Sequence, residues 1–269
     1  MKKLLFFSSL LLFFGCSKDS DGPQTTNLTV NFQHTVDMEE LIMHPWGMCS
    51  QPAGEDCEPG HSCCGEVLNY TNAAGDNYNI ERLWYLISDI YLHSSDGSSK
   101  LLKEVHFIDA ADHSTLTFDA GELDNGIYSK ITFTMGLDSN LNIDNKYVNQ
   151  SWHDYMFWPN TPMMGAGGYH YMKLEGSFDT VATKYNAHTG PTMAMDMSFN
   201  KEFDISLNVD DDLGDVNLSV NMEINNWFQN PNTISFHDFP NGMMGSMDMQ
   251  HKFEANGEAD VFSITTINR

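Results

Sequence analysis

The segment "NLTVNFQHTV" (residues 27–36) decides the fold class, because apolar and polar residues alternate along it. Leu28, Val30 and Phe32 fall on one side of an extended chain, and the polar residues between them fall on the other. This period of two predicts a half-buried β-strand. His34 has the parity of the apolar row, so we expect its imidazole to point toward the core.

Similar short segments, rich in β-branched and aromatic residues and bounded by turn-forming residues, recur along the chain. They are "YNIERLWYLISDIYLHS" (78–94), "KEVHFIDA" (103–110), "STLTFDA" (114–120), "GIYSKITFTMGL" (126–137), "GYHYMKLEGSF" (168–178), "FDISLNV" (203–209), "VNLSVNMEI" (216–224) and "DVFSITTI" (260–267). Helix is predicted only near residues 226–230 and in "GMMGSMDMQHKFEANG" (242–257), where Gly257 suits a helix C-terminus. The pattern predicts an all-β fold, a two-sheet antiparallel β-sandwich with long loops and little helix.

The N-terminus has the features of an export signal that ends in a lipidation site. Two lysines precede an apolar run, and "FGC" closes it at Cys16. We expect residues 1–16 to be a lipoprotein signal peptide, residues 17–26 a flexible tether and residues 27–269 a single domain. An ordinary secretory signal with a cysteine at its cleavage site is the alternative. The expected location is the bacterial outer membrane or cell envelope, lipid-anchored, and either periplasmic or surface-exposed.

The excess of acidic residues limits the kinds of molecule that the protein can bind. The chain has 13 Lys and Arg against 37 Asp and Glu, a formal net charge of −24. Nucleic acid is excluded as a partner, because binding phosphates requires clustered basic residues. The same negative field favours a cationic ligand or a basic protein. Contact with the membrane is expected through the N-terminal lipid only.

Residues 43–66 concentrate the remaining cysteines, Cys49, Cys57, Cys63 and Cys64. Four cysteines in an oxidising compartment predict two disulfides. A bond between the adjacent Cys63 and Cys64 is strained, so two pairings stay open: Cys49 with either of them and Cys57 with the other. A thiolate metal site is the alternative interpretation.

Several segments together resemble the copper-binding MbnP-like family, whose members are lipoproteins and periplasmic proteins with a β-sandwich fold. The matching segments are "LTVNFQHTVD" (28–37), "YTNAAGDNYNIERLWYLISDIYLHSSDG" (70–97), "GIYSKITFTMGLDS" (126–139), "MFWP" (156–159), "GGYHYMKLEG" (167–176), "YNAHTGPT" (185–192) and "ANGEADVFSI" (255–264). They occur in the family's order. The resemblance implies one copper site built from histidines. The implied ion is Cu(I) or Cu(II). In some members an oxidised tryptophan, kynurenine, made with a di-haem cytochrome-type partner, lies at that site. Against shorter members, residues 43–66 look like a Cys-rich insertion.

Four histidines are the candidate metal ligands, because copper prefers imidazole and thioethers help to select Cu(I). They are His34, His44, His170 and His188. His188 lies in the motif that is most recognisable as the family's, and we expect His34, His170 and His188 to converge at one end of the sandwich. The alternatives are a turn histidine at His188, a hydrogen-bonded core histidine at His34 and a half-buried cross-strand histidine at His170.

A second group of candidates is weaker. Its members are Met43, Met172, His153, His237 and His251. Met172 is expected to share a face with His170, and Met243, Met247 and His251 have the spacing of one helical face. The alternative is that these methionines fill gaps in the core. Trp46 is the candidate for oxidation, whereas Trp158 is expected in the core. We expect the four remaining histidines outside these groups, His61, His93, His106 and His113, at the surface.

The sequence contains no G-x-S-x-G motif, no H-E-x-x-H motif and no Gly-rich phosphate-binding loop with lysine. We therefore expect a non-enzymatic, lipid-anchored envelope protein that sequesters, buffers or delivers copper through a His-rich site, assisted by methionine. The alternative from a different class is an adhesion or interaction module that uses the Cys-rich loop to bind a partner.

Overall fold

The computed structural model describes residues 26–44, 68–161, 167–210 and 214–268. Its strands are β1 (Thr26–Val36), β2 (Glu39–Glu40), β3 (Tyr70–Thr71), β4 (Asn77–Tyr78), β5 (Arg82–Ser94), β6 (Ser99–Asp109), β7 (Thr117–Leu123), β8 (Gly126–Met135), β9 (Met172–Phe178), β10 (Thr180–Thr189), β11 (Phe199–Val209), β12 (Val216–Glu223) and β13 (Phe262–Asn268). The α-helices are α1 (His153–Met156) and α2 (Met247–Asn256). The all-β sandwich predicted from the sequence is confirmed.

The smaller sheet has the order β13-β12-β1-β2, with β7 also paired to β1. The alternation in β1 is confirmed, since Leu28, Val30 and Phe32 are all buried. One pair departs from the antiparallel pattern: β1 runs parallel to β12. The apolar face of β1 packs against the larger sheet: the ring of Phe32 meets that of Tyr85 in β5 edge-on, with centroids 6.4 Å apart.

The larger sheet has the order β11-β8-β5-β9-β4-β3, with β10 on β9 and β6 on β5. The long strand β5 pairs with β6 along one edge. Along the other edge it pairs first with β9 and then with β8. This arrangement places the β9–β10 hairpin beside the start of β5, and that hairpin carries the candidate site.

Two apolar clusters hold these layers together. The main one fills the space between the sheets. A second, smaller one includes Leu86, Trp152, Met156 and Tyr171 and packs residues 137–156 against the larger sheet. Burying one large apolar side chain contributes about 1.5–3 kcal/mol, so this cluster suffices to hold the long β8–β9 connection in place.

The helix predictions are partly confirmed. Helix α2 forms where expected, with Ser246 as its N-cap and Gly257 as its C-cap. Near residue 226 the chain forms a 3-10 turn, Ile224–Phe228. The expected single helical face for Met243, Met247 and His251 is wrong, because α2 begins at Met247 and Met243 is buried before it.

Several sequence predictions lie outside the described residues. These concern Cys16, the four cysteines Cys49, Cys57, Cys63 and Cys64, and Trp46. No helix in the described part of the chain combines the length and the apolarity needed to cross a membrane.

Candidate metal centre

Two of the four candidate histidines lie side by side. His188 is near the end of β10, where it pairs in register with Lys173 of β9, and His170 lies just before β9 begins. Their ring centroids are 5.1 Å apart and the rings are nearly perpendicular, at 86°. With metal–nitrogen bonds of about 2.0–2.1 Å, two imidazoles on one ion have centroids about 5–6 Å apart. The spacing of this pair therefore fits a shared metal.

His170 presents a free lone pair. The residue is 3% exposed, and Nδ1 of its ring lies 3.1 Å from the carbonyl oxygen of Met156. A carbonyl only accepts, so Nδ1 carries the proton and Nε2 keeps its lone pair. That Nε2 is buried and has no hydrogen-bond partner among the described residues. Burial, and then the charges of Lys173 and His188, hold the pKa of His170 well below its usual value. The ring is thus neutral at pH 7, as a ligand must be.

A carboxylate orients the second histidine. Nε2 of His188 lies 2.7 Å from Oε1 of Glu175, which also pairs with Arg82. Burial by itself raises the pKa of Glu175, but the hydrogen bond and charge of His188, together with Arg82 and Lys173, outweigh it and lower the pKa overall. Glu175 is therefore ionised and accepts the Nε2 proton, which leaves Nδ1 as the ring nitrogen of His188 that can offer a lone pair to a metal. Metal-binding histidines are commonly held by a carboxylate in this way.

A tryptophan packs against His170. Trp158 is fully buried, and its ring centroid lies 4.8 Å from that of His170 at an interplanar angle of 70°. Gly190 permits this approach, since a Cβ at that position would lie 2.5 Å from the indole. The sequence placed Trp158 in the core, which its burial confirms, but gave no sign of its contact with His170.

His188 also lines an open cavity of about 540 Å³, whose opposite wall is residues 241–246. Met244 belongs to that wall and brings a thioether to the same cavity as His188. Gln250 of α2 ties the two walls together, because its Nε2 donates to the carbonyl oxygens of His188 (2.8 Å) and Met243 (3.4 Å). The arrangement joins two imidazoles, a soft sulfur side chain and an access route.

Comparison with known proteins identifies the family. The family model of MbnP matches residues 25–245. The chain belongs to the MbnP family. The fold is also similar to that of MbnP from Methylosinus trichosporium, at 12% identity over 77% of this chain and 78% of that chain, with a TM-score of 0.46. No curated protein matches the sequence. Membership of the MbnP family associates the protein with copper in a general sense.

The expected convergence of His34 with His170 and His188 is not formed in the structure. Nε2 of His34 lies 2.9 Å from the hydroxyl of Tyr85, and burial lowers the pKa of His34 to about 4. Tyr85 pairs in register with Met172, whereas His188 pairs with Lys173, the next residue of β9. Neighbouring residues of a strand point to opposite faces, so the larger sheet separates His34 from His188.

His44 also lies away from the pair. Its backbone N–H donates to the carbonyl oxygen of Ile80, whereas Asn79 and Glu81 donate to β9 on the opposite edge. Two extended segments therefore lie between His44 and β10, which places them about 14 Å apart at a strand spacing of about 4.8 Å. Nε2 of His44 is buried without a hydrogen-bond partner in the described part of the chain.

The candidate methionines of the second group pack against the core. Met172 is fully buried in the main cluster, and Met43 packs against the same cluster. The expected shared face of His170 and Met172 is not formed, because β9 begins at Met172 and the alternation does not extend back to His170. His170 contacts Trp158 instead.

The other histidines have partners of their own. Nδ1 of His153 lies 2.9 Å from the hydroxyl of Tyr169, and Nδ1 of His251 lies 3.0 Å from Glu254 on the outer side of α2. His106, expected at the surface, is buried, and its Nε2 donates to the carbonyl oxygen of Thr115 at 2.8 Å.

Proposed function

We propose that this MbnP-family protein is a non-enzymatic, lipid-anchored copper-binding protein of the cell envelope that sequesters, buffers or delivers copper. The copper is held by His170 and His188. The observation that supports this assignment is that Nε2 of His170 is buried with no hydrogen-bond partner among the described residues, while the ring centroids of His170 and His188 are 5.1 Å apart. An unsatisfied buried acceptor costs about 1–3 kcal/mol, and a metal ion would remove that cost.

The donor set suits copper in both oxidation states. Imidazole binds Cu(II) and Cu(I), and a thioether shifts the preference toward Cu(I). Met244, on the cavity shared with His188, is the thioether best placed to assist. Glu175 keeps the His188 ring oriented, and the net charge of −24 raises the local concentration of cations.

We also propose that Cys16 carries the lipid anchor and that a redox partner oxidises a tryptophan at the site. Trp158 joins Trp46 as a candidate for oxidation to kynurenine, because its indole lies against His170. A di-haem cytochrome-type protein is the partner that the family resemblance implies. Peptide mass spectrometry of protein purified from its native host would detect the modified residue.

The experiment is copper binding by purified protein, with metal analysis after dialysis and affinity from competition with a chromophoric chelator. We expect about one copper ion per chain, and a loss of affinity of more than about 100-fold in His170→Ala and in His188→Ala, since losing a ligand exceeds the 10–100-fold effect of losing an outer-shell partner. His113→Ala, an exposed histidine on a 3-10 turn, is the matched control. Copper binding of wild-type strength in both ligand variants would remove the assignment.

A further inference from the structure

Three side chains at the other end of the β9–β10 hairpin converge on one point. Asp76 precedes β4, Asp179 forms the turn between β9 and β10, and His237 lies in the 3-10 turn Phe236–Asp238. One ligand atom from each lies within 4.8 Å of the other two. Nε2 of His237 is 2.9 Å from Oδ2 of Asp179 and 3.9 Å from Oδ1 of Asp76.

Asp76 is held in place by donors from two other segments. Its Oδ2 accepts hydrogen bonds from the side chain of Asn72 at 3.0 Å and from the backbone N–H of Phe236 at 2.8 Å. Its Oδ1 accepts a longer bond, 3.2 Å, from the hydroxyl of Ser235 and faces His237. The side chain of Asp76 is 9% exposed, and these hydrogen bonds fix its orientation.

The backbones that carry the other two groups are equally constrained. Asp179 has a left-handed φ of 58°, and its N–H donates to the carbonyl oxygen of Asn77 at 2.9 Å. The N–H of His237 donates to the hydroxyl of Ser235 at 3.1 Å, and its ring packs edge-on against Phe178, with centroids 5.1 Å apart. The three donors are therefore positioned by the chain before any ion arrives.

We propose that Asp76, Asp179 and His237 form a second metal site, for a divalent ion of the Zn²⁺ class. One imidazole nitrogen with two carboxylate oxygens suits such ions, whereas Ca²⁺ and Mg²⁺ prefer oxygen alone. With neutral histidine the group carries two negative charges, which a divalent cation balances. The exposed sides of Asp179 (43%) and His237 (62%) leave room for water to complete the coordination.

This site is separate from the copper pair. In the register of the hairpin, Thr180 pairs with Phe178 at the turn, and His188 pairs with Lys173. The two rungs are five residue steps apart along β9, a distance of about 17 Å at about 3.3 Å per residue. Bound metal would fasten the β3–β4 turn, the β9–β10 turn and residues 235–238 together, so it would also raise the thermal stability.

The test is titration of the full chain with Zn²⁺ alone, in a His170→Ala/His188→Ala background, so that the copper pair does not contribute. We expect one saturable Zn²⁺ site and a higher melting temperature with Zn²⁺. Adding His237→Ala or Asp179→Asn should weaken Zn²⁺ binding at least tenfold and abolish the shift in melting temperature.

His113→Ala is the matched control, an exposed imidazole beside the single carboxylate of Asp112. It should bind Zn²⁺ like the background protein. Absence of saturable Zn²⁺ binding, or equal affinity in His237→Ala and Asp179→Asn, would reduce the group to an ordinary ion pair and overturn the proposal. Copper titration of His237→Ala, with otherwise wild-type sequence, reports on the copper pair independently.

Discussion

His34 and His170 are both buried imidazoles whose pKa burial lowers, yet their second nitrogens differ. Nε2 of His34 is paired with the hydroxyl of Tyr85 at 2.9 Å, whereas Nε2 of His170 has no partner in the described part of the chain. Burial alone therefore does not identify a metal ligand. An unpaired buried nitrogen beside a second imidazole does: Nε2 of His44 also has no partner among the described residues, but only His170 has another histidine ring 5.1 Å away.

His106 belongs with His34. Its Nε2 donates to Thr115, and its ring packs between Phe32 and Phe118 with centroids 5.5 and 4.9 Å away. Burial, then the charge of Lys103, lowers the pKa of His106 to about 4. Both histidines are thus hydrogen-bonded residues of the core. The following predictions test how they differ from His170.

The largest expected effect is on the pH dependence of stability. The pKa of His34 is about 4 in the folded protein against an ordinary value of 6.5, so the unfolded chain takes up the proton first as the pH falls. The resulting stability is complete above pH 6.5 and is lost between 6.5 and about 4, a change of roughly 3 kcal/mol. Urea unfolding across this range should show a smaller loss in His34→Leu than in the wild type. Parallel curves for the two proteins would refute this role of His34.

The second prediction compares the stability cost of removing each ring. His34→Leu leaves the buried hydroxyl of Tyr85 unpaired and should cost about 1–3 kcal/mol at neutral pH. His34→Leu/Tyr85→Phe should recover most of that loss, because both partners are then apolar. His170→Leu should cost less than about 1 kcal/mol, since the Met156 carbonyl keeps its bond from the backbone N–H of residue 170. Equal costs at His34 and His170, measured by urea unfolding, would contradict the distinction.

The third prediction concerns the carboxylate behind His188. Glu175→Gln keeps an acceptor but removes the charge, so copper affinity should fall about tenfold without a change in stoichiometry. Chelator competition measures it. Glu202→Gln, at a glutamate paired with Lys130 on β8, is the control and should leave affinity unchanged. If the two variants bind copper alike, Glu175 does not orient the ligand.

The smallest expected effect is at the cavity wall. Met244→Leu should weaken Cu(I) binding by a few-fold and leave Cu(II) binding unchanged, because thioethers favour the softer ion. Met193→Leu, at a methionine that is 57% exposed, is the control. Competition titrations under reducing and oxidising conditions separate the two ions. A loss of Cu(II) affinity as large as that of Cu(I) would argue against a thioether contact.

Local periodicity predicted much of the fold and part of the site. Alternation in β1 predicted that His34 points into the core, which its burial confirms. It did not predict that His34 would contact the hydroxyl of Tyr85, on the side of the larger sheet that faces away from His188. The same reasoning failed at His170, because the strand begins two residues later, at Met172.

The remaining site residues depend on contacts between distant segments. Glu175 reaches His188 through the β9–β10 register, and Trp158 reaches His170 because Gly190 leaves space for the indole. Neither contact follows from a periodic pattern in the sequence. The group of Asp76, Asp179 and His237 is similar, since three separate turns supply it. Such contacts follow from tertiary packing and are visible only once the strands are paired.

The most direct test is anomalous diffraction from copper-loaded crystals, with data collected on both sides of the copper absorption edge. The central claim is that copper is coordinated by Nε2 of His170, which has no hydrogen-bond partner among the described residues. It predicts a principal peak at bonding distance from Nε2 of His170 and from the ring of His188. A principal peak at His34 or elsewhere, with that nitrogen still unbound, would contradict it.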